Sequence, residues 1–155
     1  MKFSAKEDVE APIEFVFGEI SDFSSLERSA LRRGAEVQRV DSMDKNGIGM
    51  KWDVNFEFRS KLRKMRLELV HYDPPNSMSF ASKSHAILGD LDVELVALSR
   101  TRTRLTVSTE LRPQNLSARL MVQSLKLARG SLSKRFDSRI ATYARDLEER
   151  HHRKA

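Results

Sequence analysis

Two periodicities divide the chain. From Ala35 to Arg112 apolar residues recur mostly at every second position, and from Leu116 to Leu147 they recur every three or four. The second pattern predicts one long amphipathic helix: on a 3.6-residue turn Ala118, Met121, Leu125, Ala128, Leu132, Phe136, Ile140, Tyr143 and Leu147 share a face. Asn115 or Ser117 can cap its start, because a short polar side chain accepts from the unpaired first-turn amides. Gly130 predicts a kink or a close approach within the helix, and Glu148 to Ala155, nearly free of apolar residues, predicts a fraying tail.

The first pattern predicts strands. Trp52, Val54, Phe56 and Phe58 interleave with Lys51, Asp53, Asn55, Glu57 and Arg59, one dry face and one wet. Ser60 and Lys61 turn this strand into Met65, Leu67, Leu69 and His71, which alternate with Lys64, Arg66 and Glu68. Further strands are expected around Val37–Val40, Met78–His85, Leu91–Leu98 and Leu105–Leu111. Turns are expected at Asp44–Gly47, Asp73–Asn76, Leu88–Asp90 and Ser99–Arg102. Ahead of them Phe3, Ala5 and Val9 mark a first strand. Pro12 then opens a helix carrying Ile13, Val16, Phe17 and Ile20, and Asp22 or Ser24 caps a second one ending near Leu31. The fold class this defines is α+β: a seven-stranded curved antiparallel sheet, two short helices after the first strand, and a long C-terminal helix gripped by the sheet. Residues 1–150 are expected to form one domain, with 151–155 a basic tail.

With that order, three local features resemble the START-like superfamily of helix-grip proteins, the polyketide cyclase and lipid-transport-like SRPBCC domains. They are Val9-Glu10-Ala11-Pro12 with Ser21-Asp22-Phe23 beyond it, Tyr72-Asp73-Pro74-Pro75 between strands, and Thr103-Arg104-Leu105-Thr106-Val107 opening the last strand. The resemblance implies a cavity between sheet and helix that in many members holds a lipid, a sterol, a polyketide or another apolar molecule. Its expected lining is Trp52, Phe56, Phe58, Leu69, His71, Phe80 and His85 from the strands and Leu125, Leu132 and Phe136 from the helix. His71, His85 and Arg63 are the candidates for orienting a ligand. The competing reading is that the apolar residues fill a dry core and the histidines lie on the surface. Periodicity does not separate the two.

Charge narrows the partners. The net charge is +6, but residues 1–111 hold 17 Lys and Arg against 18 Asp and Glu, whereas residues 112–155 hold 11 against 4. The whole excess belongs to the C-terminal helix and tail, so this is a locally basic element on a neutral domain and not a nucleic-acid-binding domain. Arg59, Lys61, Arg63, Lys64 and Arg66 gather at one hairpin and Arg100, Arg102 and Arg104 at another, both read as solvated surface. No cysteine is present, which suits a cytoplasmic protein. No apolar run approaches the length of a membrane span, so no integral membrane contact is expected. Metal and nucleotide sites are not expected either: there is no His-Glu-x-x-His, and Gly47-Ile48-Gly49 lacks the form of a phosphate-cradling loop. The leading expectation is therefore binding or transport of a hydrophobic small molecule without a cofactor. An enzyme of cyclase or aromatase type, and a non-enzymatic interaction module using the basic helix, stand as alternatives. Leu120 and Leu127, i and i+7 on the back of the helix, are expected to meet a second copy of the chain, another partner, or the chain's own loops.

Overall fold

A computed structural model describes residues 1–154. The strands are β1 (Lys2–Val9), β2 (Glu36–Arg39), β3 (Lys51–Phe58), β4 (Lys61–Asp73), β5 (Ser77–Ser84), β6 (Ile87–Ser99) and β7 (Arg102–Pro113). The helices are α1 (Ile13–Ile20) and α2 (Phe23–Arg32) after β1, and α3 (Leu116–Leu127) and α4 (Arg129–Lys154) at the end. All seven strands form one antiparallel sheet in the order β1-β7-β6-β5-β4-β3-β2. The first strand thus closes against the last, with β2 at the far edge.

Local chemistry sets the elements as the sequence predicts. The Asp22 side chain accepts from Ser25 N at the start of α2, and Asn115 Oδ1 accepts from Ala118 N at 2.8 Å at the start of α3. Arg59 and Ser60, with φ of 52° and 61°, form the β3–β4 connection, the left-handed pair that a two-residue hairpin needs to match strand twist. Along β4 the inward residues are Met65, Leu67 and Leu69. The register then shifts between Leu69 and His71, which is a bulge at Val70.

Three features depart from the expectations. The C-terminal helix is not continuous: Ala128 (φ −102°, ψ 17°) ends α3, its N–H bonding back to Leu125 and Lys126, and α4 begins at once. This break lies two residues before Gly130, where an added Cβ would meet nothing within 4 Å, so the glycine marks no close approach. Its effect is to let the two helices follow different parts of the sheet. Arg59 Nη2 at the β3–β4 tip donates to Ser124 Oγ of α3 at 3.3 Å, while Phe136 of α4 lies on Phe3 of β1, ring centroids 6.0 Å apart. Second, residues 148–154 are helical and not a frayed tail. His151 packs on Phe15 at 4.8 Å, and Lys154 pairs with Glu19, so apolar and ionic contacts with α1 hold this end. Ala155 lies outside the described residues. Third, Leu88-Gly89-Asp90 is no turn but the interior of β6, and the reversal comes at His85–Ala86. Gly89 is needed for a close approach: a Cβ there would sit 2.5 Å from Ser82 Oγ of the adjoining strand.

The outer face of the sheet is polar and cross-linked by ions. Arg66 pairs with Asp53, Arg104 and Arg102 with Asp8, Arg112 with Asp90, and Lys2 with Glu110. The arginine clusters of both hairpins are in this way partly neutralised by neighbouring strands.

Candidate functional site

The inner face of the sheet is apolar, but it is not uniformly filled. At one end Val9, Val16, Leu69, Leu105 and Leu147 are completely or almost completely buried, with Met50 and Met78 beside them, beneath α1 and the C-terminal half of α4. Phe23 of α2 closes over the strands there, its ring 5.2 Å from Trp52 and 6.1 Å from Phe80, with Trp52 and Phe80 6.0 Å apart. Towards the β3–β4 tip the picture changes. Phe56, Met65, Leu67 and Leu91 on the strands, and Met121, Leu125, Leu132 and Phe136 on the helices, are only half-buried although they carry the inward periodicity. A close-packed interior leaves such side chains almost no surface, so this end of the concave side is less completely filled.

The residues expected to line a cavity therefore fall into three groups. Trp52, Leu69 and Phe80 belong to the packed end. Phe56, Leu125, Leu132 and Phe136 belong to the loosely filled end, and Phe58 stands at its rim, 38% exposed, with the guanidinium groups of Arg59 and Arg63 5.5 and 5.9 Å from its ring. His71 and His85 do not join them, which corrects the expectation. Strict alternation turns His71 inward with Leu69, but the bulge at Val70 reverses the phase. Tyr72 points in instead and meets Phe17 at 5.6 Å, while His71 is exposed and bonded to Ser77 Oγ at 2.9 Å. His85 sits exposed in the β5–β6 turn. Phe136 does not face Trp52 across the concavity either. Its partner is β1, and the strand order places β1 and β3 near opposite edges.

One polar group on this inner side is unusual. Arg63 of β4 stands opposite Phe56 in the register, in phase with Met65 and Leu67. Its Nε is shut off from water and has no hydrogen-bond partner among the described residues, although the side chain as a whole is half-buried. An unpaired buried N–H costs about 1–3 kcal/mol. Of the hydroxyls on this face, those of Ser82, Ser84 and Thr109 are half-buried, and that of Thr103, fully buried at the packed end, donates to Ala11 O at 2.8 Å. The alternation that placed Met65 and Leu67 inward also placed Arg63 there. That its Nε is unpaired could be read only from the folded chain.

Elsewhere a cleft of mixed charge lies between α1, α2 and the end of α4, lined by Glu19, Asp22, Arg28, Tyr143, Asp146 and Arg150 among others. Burial pushes the Tyr143 hydroxyl up to about 12, so it stays protonated at neutral pH.

No protein-family model and no curated protein matches the sequence. Solved structures do match in shape. A protein from Thermus thermophilus superposes with a TM-score of 0.69 at 16% identity, covering 100% of this chain and 99% of that one. The Zhui aromatase/cyclase from Streptomyces sp. R1128 gives 0.65 at 12% identity over 94% and 93%. A START superfamily protein from Mycobacterium smegmatis gives 0.58 at 12% over 86% and 95%. The chain accordingly has the START-like helix-grip fold. At these identities the likeness extends to the fold alone.

Proposed function

We propose that the protein binds an apolar small molecule with an acidic or strongly polar end, held between the strand ends around Phe56, Met65 and Leu67 and the helical residues Met121, Leu125 and Leu132. The observation that carries the reading is Arg63, whose Nε is buried without a partner on this apolar surface. A carboxylate laid against the guanidinium edge would accept from Nε and Nη together, converting an unsatisfied donor into a charge-assisted pair. Apolar burial supplies the rest of the affinity, at about 25 cal/mol per Å² before ordering costs. Likeness to an aromatase/cyclase raises an enzymatic alternative, but His71 and His85 both lie away from the inner face, so neither supplies an acid or base there.

A fluorescent long-chain fatty acid tests the reading against its neutral alcohol. Wild type is expected to bind both, and Arg63→Met to weaken the acid by about ten-fold or more while changing the alcohol little, as loss of a charge-assisted bond predicts. Equal loss for both probes removes Arg63 from the role. Failure of wild type to bind either removes the cavity.

A further inference from the structure

The outer side of α3 carries a second pattern. Ala118 and Val122 are buried against the sheet, and on the opposite side Leu116, Leu120 and Leu127 are exposed to 71, 59 and 92%. Helical spacing puts these three leucines on one line. No described segment of the chain covers them, so the expected cover by the chain's own loops is not found. The β3–β4 tip stands beside this face through the Arg59–Ser124 bond and brings the Arg59 guanidinium to its edge.

Charge identifies the occupant. Between residues 114 and 140 the chain carries Arg119, Lys126, Arg129, Lys134, Arg135 and Arg139 against Asp137 alone. Directly beyond Leu127, α4 presents a shallow open concavity formed by Gly130, Ser131, Lys134, Arg135, Ser138 and Arg139, with no carboxylate in its wall. A face of aligned leucines bordered by lysine, arginine and hydroxyl groups matches the boundary of a bilayer, where acyl chains lie beneath anionic headgroups. A second copy of the chain fits worse, because a two-fold contact through these leucines brings Arg119 and Lys126 of one copy near those of the other. Nucleic acid would leave the leucines without a role.

We infer that α3, the first turns of α4 and the β3–β4 tip form a docking surface for membranes rich in anionic lipid. The leucines enter the acyl boundary and the basic side chains meet the phosphates. This surface lies outside the concave side and does not depend on the binding reading above.

Flotation with vesicles of phosphatidylcholine alone, or of phosphatidylcholine with phosphatidylglycerol, tests it. Wild type is expected to float with the anionic vesicles only, and less as salt rises. A Leu120→Ser, Leu127→Ser variant, altered only at exposed positions and checked for an unchanged melting temperature, should bind at least about ten-fold more weakly. Lys134→Gln with Arg135→Gln should weaken binding to anionic vesicles as well. The inference is overturned if wild type fails to float with anionic vesicles at low ionic strength. It is overturned equally if the leucine variant floats as wild type does, which would mean charge adhesion without insertion. A wild-type dimer that the leucine variant converts to monomer would assign the face to a second copy instead.

Discussion

The indole Nε1 of Trp52 donates a hydrogen bond to Glu27 Oε1 at 2.9 Å, tying the start of β3 to α2 across 25 positions of sequence. Trp52 is 3% exposed, so its N–H has little access to water if that acceptor is lost. The bond fixes α2 over the strands and keeps the packed end of the interior closed.

Glu27→Ala should therefore destabilise the protein by about 1–3 kcal/mol, the cost of a buried donor left unpaired, with a shift in the emission of the single tryptophan. Glu27→Gln, which retains an acceptor oxygen, should recover most of the loss. Urea denaturation followed by fluorescence measures both; equal losses would show that the charge and not the hydrogen bond matters.

The unequal filling of the interior predicts unequal costs for one chemical change. Leu147 is fully buried at the packed end, and Leu147→Ala should cost about 2–5 kcal/mol. Leu132 is half-buried at the looser end, and Leu132→Ala should cost about 1 kcal/mol or less. Denaturation midpoints at constant slope give the comparison. Matching penalties would show that both ends are packed alike and would remove the physical ground for a cavity.

Acid should unfold the protein through its arginine-held carboxylates. Arg39 beside Asp41 holds that carboxyl below the usual range, with Lys51 N and Met43 N also donating to it at 2.8 and 2.9 Å. Hydrogen bonds from Arg104, Arg66 and Arg112 lower Asp8, Asp53 and Asp90 in the same way, and Lys2 lowers Glu110. A carboxylate with a lowered folded pKa binds its proton first in the unfolded chain. Its contribution is complete above the unfolded value of about 4 and is lost as the pH falls through the folded one. Melting temperature should hold steady from neutrality to about pH 4 and fall below it, with Asp41→Asn flattening the decline. An Asp41→Asn curve parallel to wild type would show that this carboxylate carries no part of it.

Periodicity determined the strand and helix faces wherever the local repeat runs unbroken, because a side chain's side of its own strand or helix is fixed by that repeat. Trp52, Val54 and Phe56 face inward and Asp53 and Asn55 outward as the alternation requires. The helix caps were legible to within two candidates each, Asp22 or Ser24 and Asn115 or Ser117, because a cap acts on amides three residues away, and the folded chain uses Asp22 and Asn115. The two candidate sites depended on what lies further off. Pairing with β5 decided that Val70 bulges and that His71 turns out, and the close approach of Ser82 decided that Gly89 belongs in a strand. Sheet order decided that Phe136 rests on Phe3 and not opposite Trp52. Whether Arg63 Nε finds a partner, and whether anything covers Leu120 and Leu127, likewise depends on atoms distant in sequence. Hydrophobic patterning is a one-dimensional record of each element's own dry side. Register, strand order and the completeness of packing come from contacts between elements, and only the tertiary structure sets those.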